Sequence, residues 1–177
     1  RPVRLNIQVF EGAVLWRVDW GHPINRQKTA SFYLKHICPM SEFSLPISLR
    51  WADFDANFHL RHSVYYDFGA TARLEFLSKY GLNYELMQAE HFGPVLFREE
   101  CVFRREVRPG DQISINLLLT KLRRDFSRFS FRHEITRADG TLCAVMHVDG
   151  AWIDTNLRKL ATPPALIATV LDSLPKA

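Results

Sequence analysis

The alternation of apolar and polar residues is strongest from residue 45 onward. Residues 45–51 (LPISLRW) alternate, which predicts a half-buried strand. Residues 53–61 are polar and irregular. From 62 to 80 the period becomes helical: Tyr65, Phe68, Ala72 and Phe76 share one face, Val64, Leu74 and Leu77 widen the apolar surface, and Gly81 is a helix stop. Residues 83–93 are mixed, with room for one short helical turn. Four strands are predicted next, over 95–107, 112–123, 127–137 and 142–153. Arg108-Pro109-Gly110-Asp111 and Ala138-Asp139-Gly140 are turn sequences between them. Ile113, Ile115, Leu117 and Leu119 fall on one face, as do Phe129, Phe131, His133 and Ile135, and Leu142, Ala144, Met146 and Val148. Thr162-Pro163-Pro164 opens a short helix to about Leu171, with Thr162 as N-cap.

Strand, long helix, four antiparallel strands and short helix make an α+β pattern, with the helix packed on one sheet face. A helix so widely apolar implies that the sheet wraps around it. The open edges of such a sheet need a cover, which predicts a homo-oligomer.

Residues 1–39 read differently. Leu5-Asn6-Ile7-Gln8-Val9 alternates weakly, residues 13–20 are apolar but carry Arg17 and Asp19, and Gly21-His22-Pro23 breaks the chain. The first methionine, Met40, stands just before the first clear strand. The functional domain is therefore expected over 40–177, with 1–39 as an extension.

Composition narrows the class. The 177 residues are 47% hydrophobic and 24% charged, as in a globular domain. No apolar run is long enough to span a membrane, and no secretory signal pattern opens the chain. Cys38, Cys101 and Cys143 lack a CxxC spacing and leave one over. This points to a reducing, cytoplasmic setting without a disulfide framework or zinc site. The formal charge is +4, but residues 1–39 hold six basic and two acidic side chains, leaving 17 of each in the rest. A charge-neutral domain is a poor nucleic-acid binder.

The candidate chemistry lies in 50–66, RWADFDANFHLRHSVYY. Asp53, Asp55, Asn57, His59 and His62 crowd between a strand and a helix. In extended chain, the spacing of two sends Asp55, Asn57 and His59 to one side. The N–H groups that open the following helix form a ready oxyanion site. Carboxylate, amide, imidazole and free donors together suit acyl transfer. The same residue types also serve as turn and cap residues, and His59, His62 and an Asp offer a metal set without a recognised ligand spacing.

The segment resembles the signature of hot-dog-fold thioesterases of the 4-hydroxybenzoyl-CoA and acyl-ACP kind: a strand ending in Arg and an aromatic, Asp-x-Asn-x-His, and a Tyr inside the helix. Phe103-Arg104-Arg105-Glu106-Val107-Arg108-Pro109-Gly110-Asp111 is similar to a second family element. The resemblance covers about 45–154. It implies a five-stranded antiparallel sheet wrapped around a long central helix. It implies Asp55 as general base or nucleophile on the thioester, with Asn57 and His59 holding carboxylate and water. The His62 backbone N–H then polarises the carbonyl, Glu106 is a further acid, and Tyr65 is a packing residue. Phe58 stands where many members have Gly, and Arg61 and His62 replace a frequent Asn-Asn pair. Cys101 and Cys143 fit the core. Lys121, Arg123, Arg124 and Arg128 form a basic cluster suited to CoA phosphates at a tunnel mouth or to an acidic carrier protein; Arg132 points the other way, as plain surface. The implied activity is hydrolysis of acyl-CoA by a homodimer or homotetramer, without cofactor or metal. The alternatives are an acyl-ACP thioesterase using Asn57, His59 and Glu106, and a non-catalytic acyl-CoA-binding module.

Overall fold

The computed structural model describes residues 42–177 in full and, before them, the backbone of two strands, β1 (Ile7–Phe10) and β2 (Ala13–Trp16). These pair antiparallel, with Phe10 opposite Ala13. They belong to the unit Arg1–Lys35, separate from the unit His36–Ala177. The predicted break at Gly21-His22-Pro23, Cys38 and the domain start at Met40 lie outside the described residues.

In the larger unit, β3 (Ser44–Ile47) leads through a loop into α1 (His62–Lys79) and α2 (Tyr84–Ala89). The strands β4 (Phe92–Phe103), β5 (Ile113–Asn116), β6 (Leu118–Leu122), β7 (Arg128–Arg137), β8 (Leu142–Asp154) and β9 (Lys159–Leu160) follow, then α3 (Ala165–Asp172). The sheet runs β3-β5-β7-β8-β4, antiparallel throughout; β6 continues from β5 along β7, and β9 adds to β8. This is the curled antiparallel sheet with a central helix that the hot-dog resemblance implies.

Seven strands stand where five were expected. The predicted strand 112–123 is split at Leu117 because Asn116 is engaged sideways. Its carbonyl accepts from His133 Nδ1 (2.7 Å), its Oδ1 accepts from the Glu134 N–H (2.7 Å), and its Nδ2 donates to Glu134 (3.0 Å). The second addition, β9, is only two residues long. The strand predicted to reach Val107 stops at Phe103, where the N–H groups of Arg104 and Arg105 both turn to the Cys143 carbonyl. α3 opens at Ala165 after Pro164, without the Thr162 cap, since Pro164 already presets the backbone.

α1 buries Val64, Tyr65, Phe68, Ala72, Phe76 and Leu77. The facing strand residues are those the alternation picked out. Ile113, Ile115, Leu117, Leu119, Phe129, Phe131, His133 and Ile135 are all buried. Gly150 of β8 gives the Phe129 ring its place: a Cβ there would lie 2.6 Å from that ring and 2.8 Å from the Val95 carbonyl oxygen. The wrapping is incomplete. Leu74 of α1 is exposed beside exposed Leu96 of β4, because β4 is the last strand of the sheet.

Candidate active site

The loop between β3 and α1 is a tight hairpin. Phe54 bridges Leu60; the Asp55 N–H donates to the His59 carbonyl (2.9 Å), and the Arg61 N–H to the Asp53 carbonyl (2.9 Å). The chain is thus not extended here, and Asp55, Asn57 and His59 do not share a side by alternation. The turn gathers them another way. Asp55 Oδ1 accepts the N–H groups of Asn57 (2.8 Å) and His59 (3.0 Å). These two donors, His59 foremost, hold the Asp55 carboxyl below the usual carboxylate range. Asp55 is an exposed residue, and no bond to its Oδ2 is formed among the described residues.

The hairpin turns at Phe58, with φ 58°. This is a left-handed backbone that suits glycine, the residue that the hot-dog resemblance implies here in many members. The Phe58 ring meets Trp51 edge to face at 6.3 Å, and both are exposed.

Asp53 anchors the loop from below, a role that sequence reasoning missed. Its buried carboxylate takes the Arg50 N–H (2.8 Å) and the Arg50 guanidinium (2.8 Å from Nη2, 3.1 Å from Nε). Those bonds hold its carboxyl ionised against the cost of burial. The Arg50-x-x-Asp53 spacing was the available signal.

The second family element joins the first through the backbone: the Leu60 N–H donates to the Val107 carbonyl (2.9 Å). Glu106 is thereby set beside the loop. The His59 imidazole acts electrostatically on the carboxyls of both Asp55 and Glu106. The Glu106 carboxyl is held down by its own N–H and by Arg108, its ion-pair partner at 3.1 Å. α1 starts two residues after Leu60, at His62, with Arg61 as N-cap and no side-chain cap. Its first N–H groups therefore keep their donors for an incoming acceptor. Tyr65 packs edge to face on Phe103 at 5.1 Å, as a core residue.

The structure brings Asp55, Asn57, His59, Glu106 and His62 together and leaves the basic cluster apart. Lys121, Arg123, Arg124 and Arg128 sit around the β6–β7 hairpin, where the Arg123 N–H donates to the Arg128 carbonyl (3.0 Å). Ten-residue β7 separates that hairpin from the end of the sheet that holds the loop, about 30 Å at the usual rise. Lys121, Arg123 and Arg124 line a surface cavity with Lys176, whereas Arg128 stacks over Phe97, 5.2 Å from its centroid. Arg132 pairs with Glu134.

Burial pushes the Cys101 thiol up to about 11 and raises that of Cys143, so neither is an activated nucleophile. Among the described residues no group of three His, Cys, Asp or Glu is placed to hold a metal ion. Among the described residues no helix is long and apolar enough to cross a membrane.

The family description "Thioesterase-like superfamily" matches residues 49–171, which include the whole loop and both family elements. The chain belongs to this superfamily. No curated protein matches it by sequence. Solved structures similar to this thioesterase-like chain include a 1,4-dihydroxy-2-naphthoyl-CoA thioesterase from Synechocystis, 22% identical, covering 75% of this chain and 96% of that one (TM-score 0.68). A Staphylococcus aureus protein solved in complex with CoA is 18% identical over 77% of this chain and 88% of that one (TM-score 0.70). A Thermus thermophilus protein is 25% identical over 74% and 98% (TM-score 0.65). The CoA-thioesterase likenesses lie below 25% identity and carry the hot-dog fold.

Proposed function

We propose that this thioesterase-like chain hydrolyses acyl-CoA to the free acid and CoA, with Asp55 as the carboxylate that acts. The observation that carries the reading is the state of Asp55. One carboxylate oxygen is held by two loop N–H groups, which fix the side chain in the turn and keep the carboxyl ionised at neutral pH. In the general-base form, Asp55 takes a proton from water while the water oxygen attacks the thioester carbonyl. In the nucleophilic form, Asp55 itself attacks and the resulting anhydride is hydrolysed. In both, the negative charge on the carbonyl oxygen is met by the uncapped N–H groups at His62, and the C–S bond breaks to release CoA thiolate, which takes up the proton.

The placing of Glu106 beside the loop by the Leu60–Val107 bond supports a second reading within the same chemistry, an acyl-ACP thioesterase in which Asn57, His59 and Glu106 share the work. The exposed apolar residues of edge strand β4 support assembly as a homodimer or homotetramer. In such an assembly Lys121, Arg123 and Arg124 serve a neighbouring subunit's substrate.

The test is thiol release from a panel of short, long and aromatic acyl-CoAs by the wild type and by Asp55→Asn. Asn keeps the acceptor for both loop N–H groups and removes the base. A loss of about a hundredfold or more in kcat is expected. Full activity in the variant refutes the assignment, and binding without turnover by the wild type moves the chain to a binding module.

A further inference from the structure

The β6–β7 hairpin is the positive pole of a neutral domain. Residues 121–128 (KLRRDFSR) hold four cations, Lys121, Arg123, Arg124 and Arg128, against one acid, Asp125. Residues 40–177 as a whole hold 17 of each sign. Asp125 is already engaged: its Oδ1 accepts the Ser127 hydroxyl (2.7 Å) and N–H (3.1 Å), and its Oδ2 lies 3.4 Å from Arg123 Nε. Lys121, Arg124 and Arg128 have no acidic partner among the described residues. Cations left without an acid attract an anion.

Beside this pole the sheet shows an aromatic ring. Between Leu96, opposite Gly150, and Arg98, opposite Asp149, β4 carries one residue without a partner, Phe97. A bulge of this kind re-aims a side chain. Phe97 is 56% exposed, and the Arg128 guanidinium lies over its ring, 5.2 Å from the centroid. Arg128 alternates with buried Phe129, so the pair lies on the face of the sheet away from α1. Ser130 shares that face, and Lys121 stands opposite Ser130. The neighbouring charges close on one another: Arg98 pairs with Glu100 and Asp149, and Asp149 also accepts the Ser130 hydroxyl (2.6 Å).

An exposed ring, a planar guanidinium and unpaired cations on one face suit a nucleotide. Ring and guanidinium offer stacking to a base, and the cations meet its phosphates. An acidic protein surface would use the cations alone and give the stacked pair no planar partner. We propose that the Phe97–Arg128 pair stacks on the adenine of CoA, with Lys121 and the hairpin arginines on its phosphates. The identity of the ligand rests on the acyl-CoA reading, but its binding does not. The pair lies a strand's length from the Asp55 loop of its own chain, so the CoA that it holds is a neighbouring subunit's substrate.

Calorimetric titration with CoA, adenosine 3′,5′-bisphosphate and pyrophosphate tests the site. The wild type is expected to bind the bisphosphate about tenfold or more tightly than pyrophosphate, because the base adds its stacking. Phe97→Leu keeps an apolar side chain without the ring, and Arg128→Lys keeps the charge without the plane. Each is expected to weaken CoA and the bisphosphate about tenfold, at an unchanged Tm, since both side chains are exposed. Equal binding of bisphosphate and pyrophosphate by the wild type overturns the proposal, as do unchanged affinities in both variants. Loss of assembly in Phe97→Leu at unchanged nucleotide affinity gives the ring to a subunit contact and also overturns it. Tighter binding of AMP than of CoA gives the site to a free nucleotide, with the same result. Kinetics separates the site from the hydrolase reading. Both variants are expected to raise KM for an acyl-CoA about tenfold, but not KM for the acyl-pantetheine thioester, which has no nucleotide. Nucleotide binding that needs Phe97 and Arg128, in a protein inert toward every acyl-CoA, sinks the hydrolase and keeps the site; turnover with unchanged KM in both variants does the reverse.

Discussion

His133 provides a stability test of the cluster that holds Arg73. It is wholly buried on β7 and accepts Arg73 through Nε2 while donating to Asn116 through Nδ1. Burial foremost, with the Arg73 charge adding to it, pulls its pKa down from 6.5 to about 4; the bond to Asn116 opposes them. The unfolded chain therefore binds a proton that the folded chain refuses. The associated stability is fully present above about pH 6.5, is lost as pH falls, and the loss levels off below pH 4. At 1.36 kcal/mol per pH unit, the gap amounts to about 2 kcal/mol near pH 5 and about 3 kcal/mol near pH 4. His133→Asn retains a donor for the Asn116 carbonyl and does not titrate. Urea unfolding of both proteins from about pH 8 down to about pH 4 reads the effect, because the carboxylates contribute alike to both. The wild type is expected to lose about 3 kcal/mol more than the variant over that range. Parallel losses would refute the reasoning: His133 would then carry its proton in the fold, and Arg73 would be held by Glu99 alone.

Three further outcomes are expected. Phe58→Gly relieves a left-handed backbone costing about 1–2 kcal/mol, against a lost ring contact and a more flexible unfolded chain of similar size. Its urea midpoint should stay near that of the wild type, and a loss above about 2 kcal/mol would mean that the ring is structural. Gly150→Ala drives a Cβ into the Phe129 ring and the Val95 carbonyl, and should cost about 1–3 kcal/mol, seen as a lower Tm. Removal of residues 1–39 should leave the main melting transition in place, whereas its collapse would make that segment part of the fold.

Much of the fold was legible because its residues report their own surroundings. The period-two runs at Ile113–Leu119 and Phe129–Ile135 and the helical run from Tyr65 to Phe76 each bury the face that their spacing predicts. The turns at Gly110 and Gly140 adopt the positive φ that their sequences suggest. The limits of the strands were less legible. Strand 112–123 breaks at Leu117 because Asn116 bonds to His133 and Glu134, partners 17 and 18 residues away, and no local propensity encodes such bonds.

The candidate site divides along the same line. Residue types and family signature were enough to single out Asp55, Asn57, His59 and the start of α1, because the loop is local and its neighbours lie within ten residues. Their arrangement was not: a tight hairpin, with Phe58 left-handed and Asp53 anchored by Arg50, replaces the extended segment that the spacing suggested. Only the folded chain joins Glu106 to that loop, through the Leu60–Val107 bond, and sets the basic hairpin a strand's length away. The Arg73–Glu99–His133 cluster and the unpartnered Trp152 N–H likewise exist only once α1 lies on the sheet. The physical reason is common to all of these. Periodicity records which side of an element meets water, whereas contacts between distant elements depend on how the sheet curls around the helix.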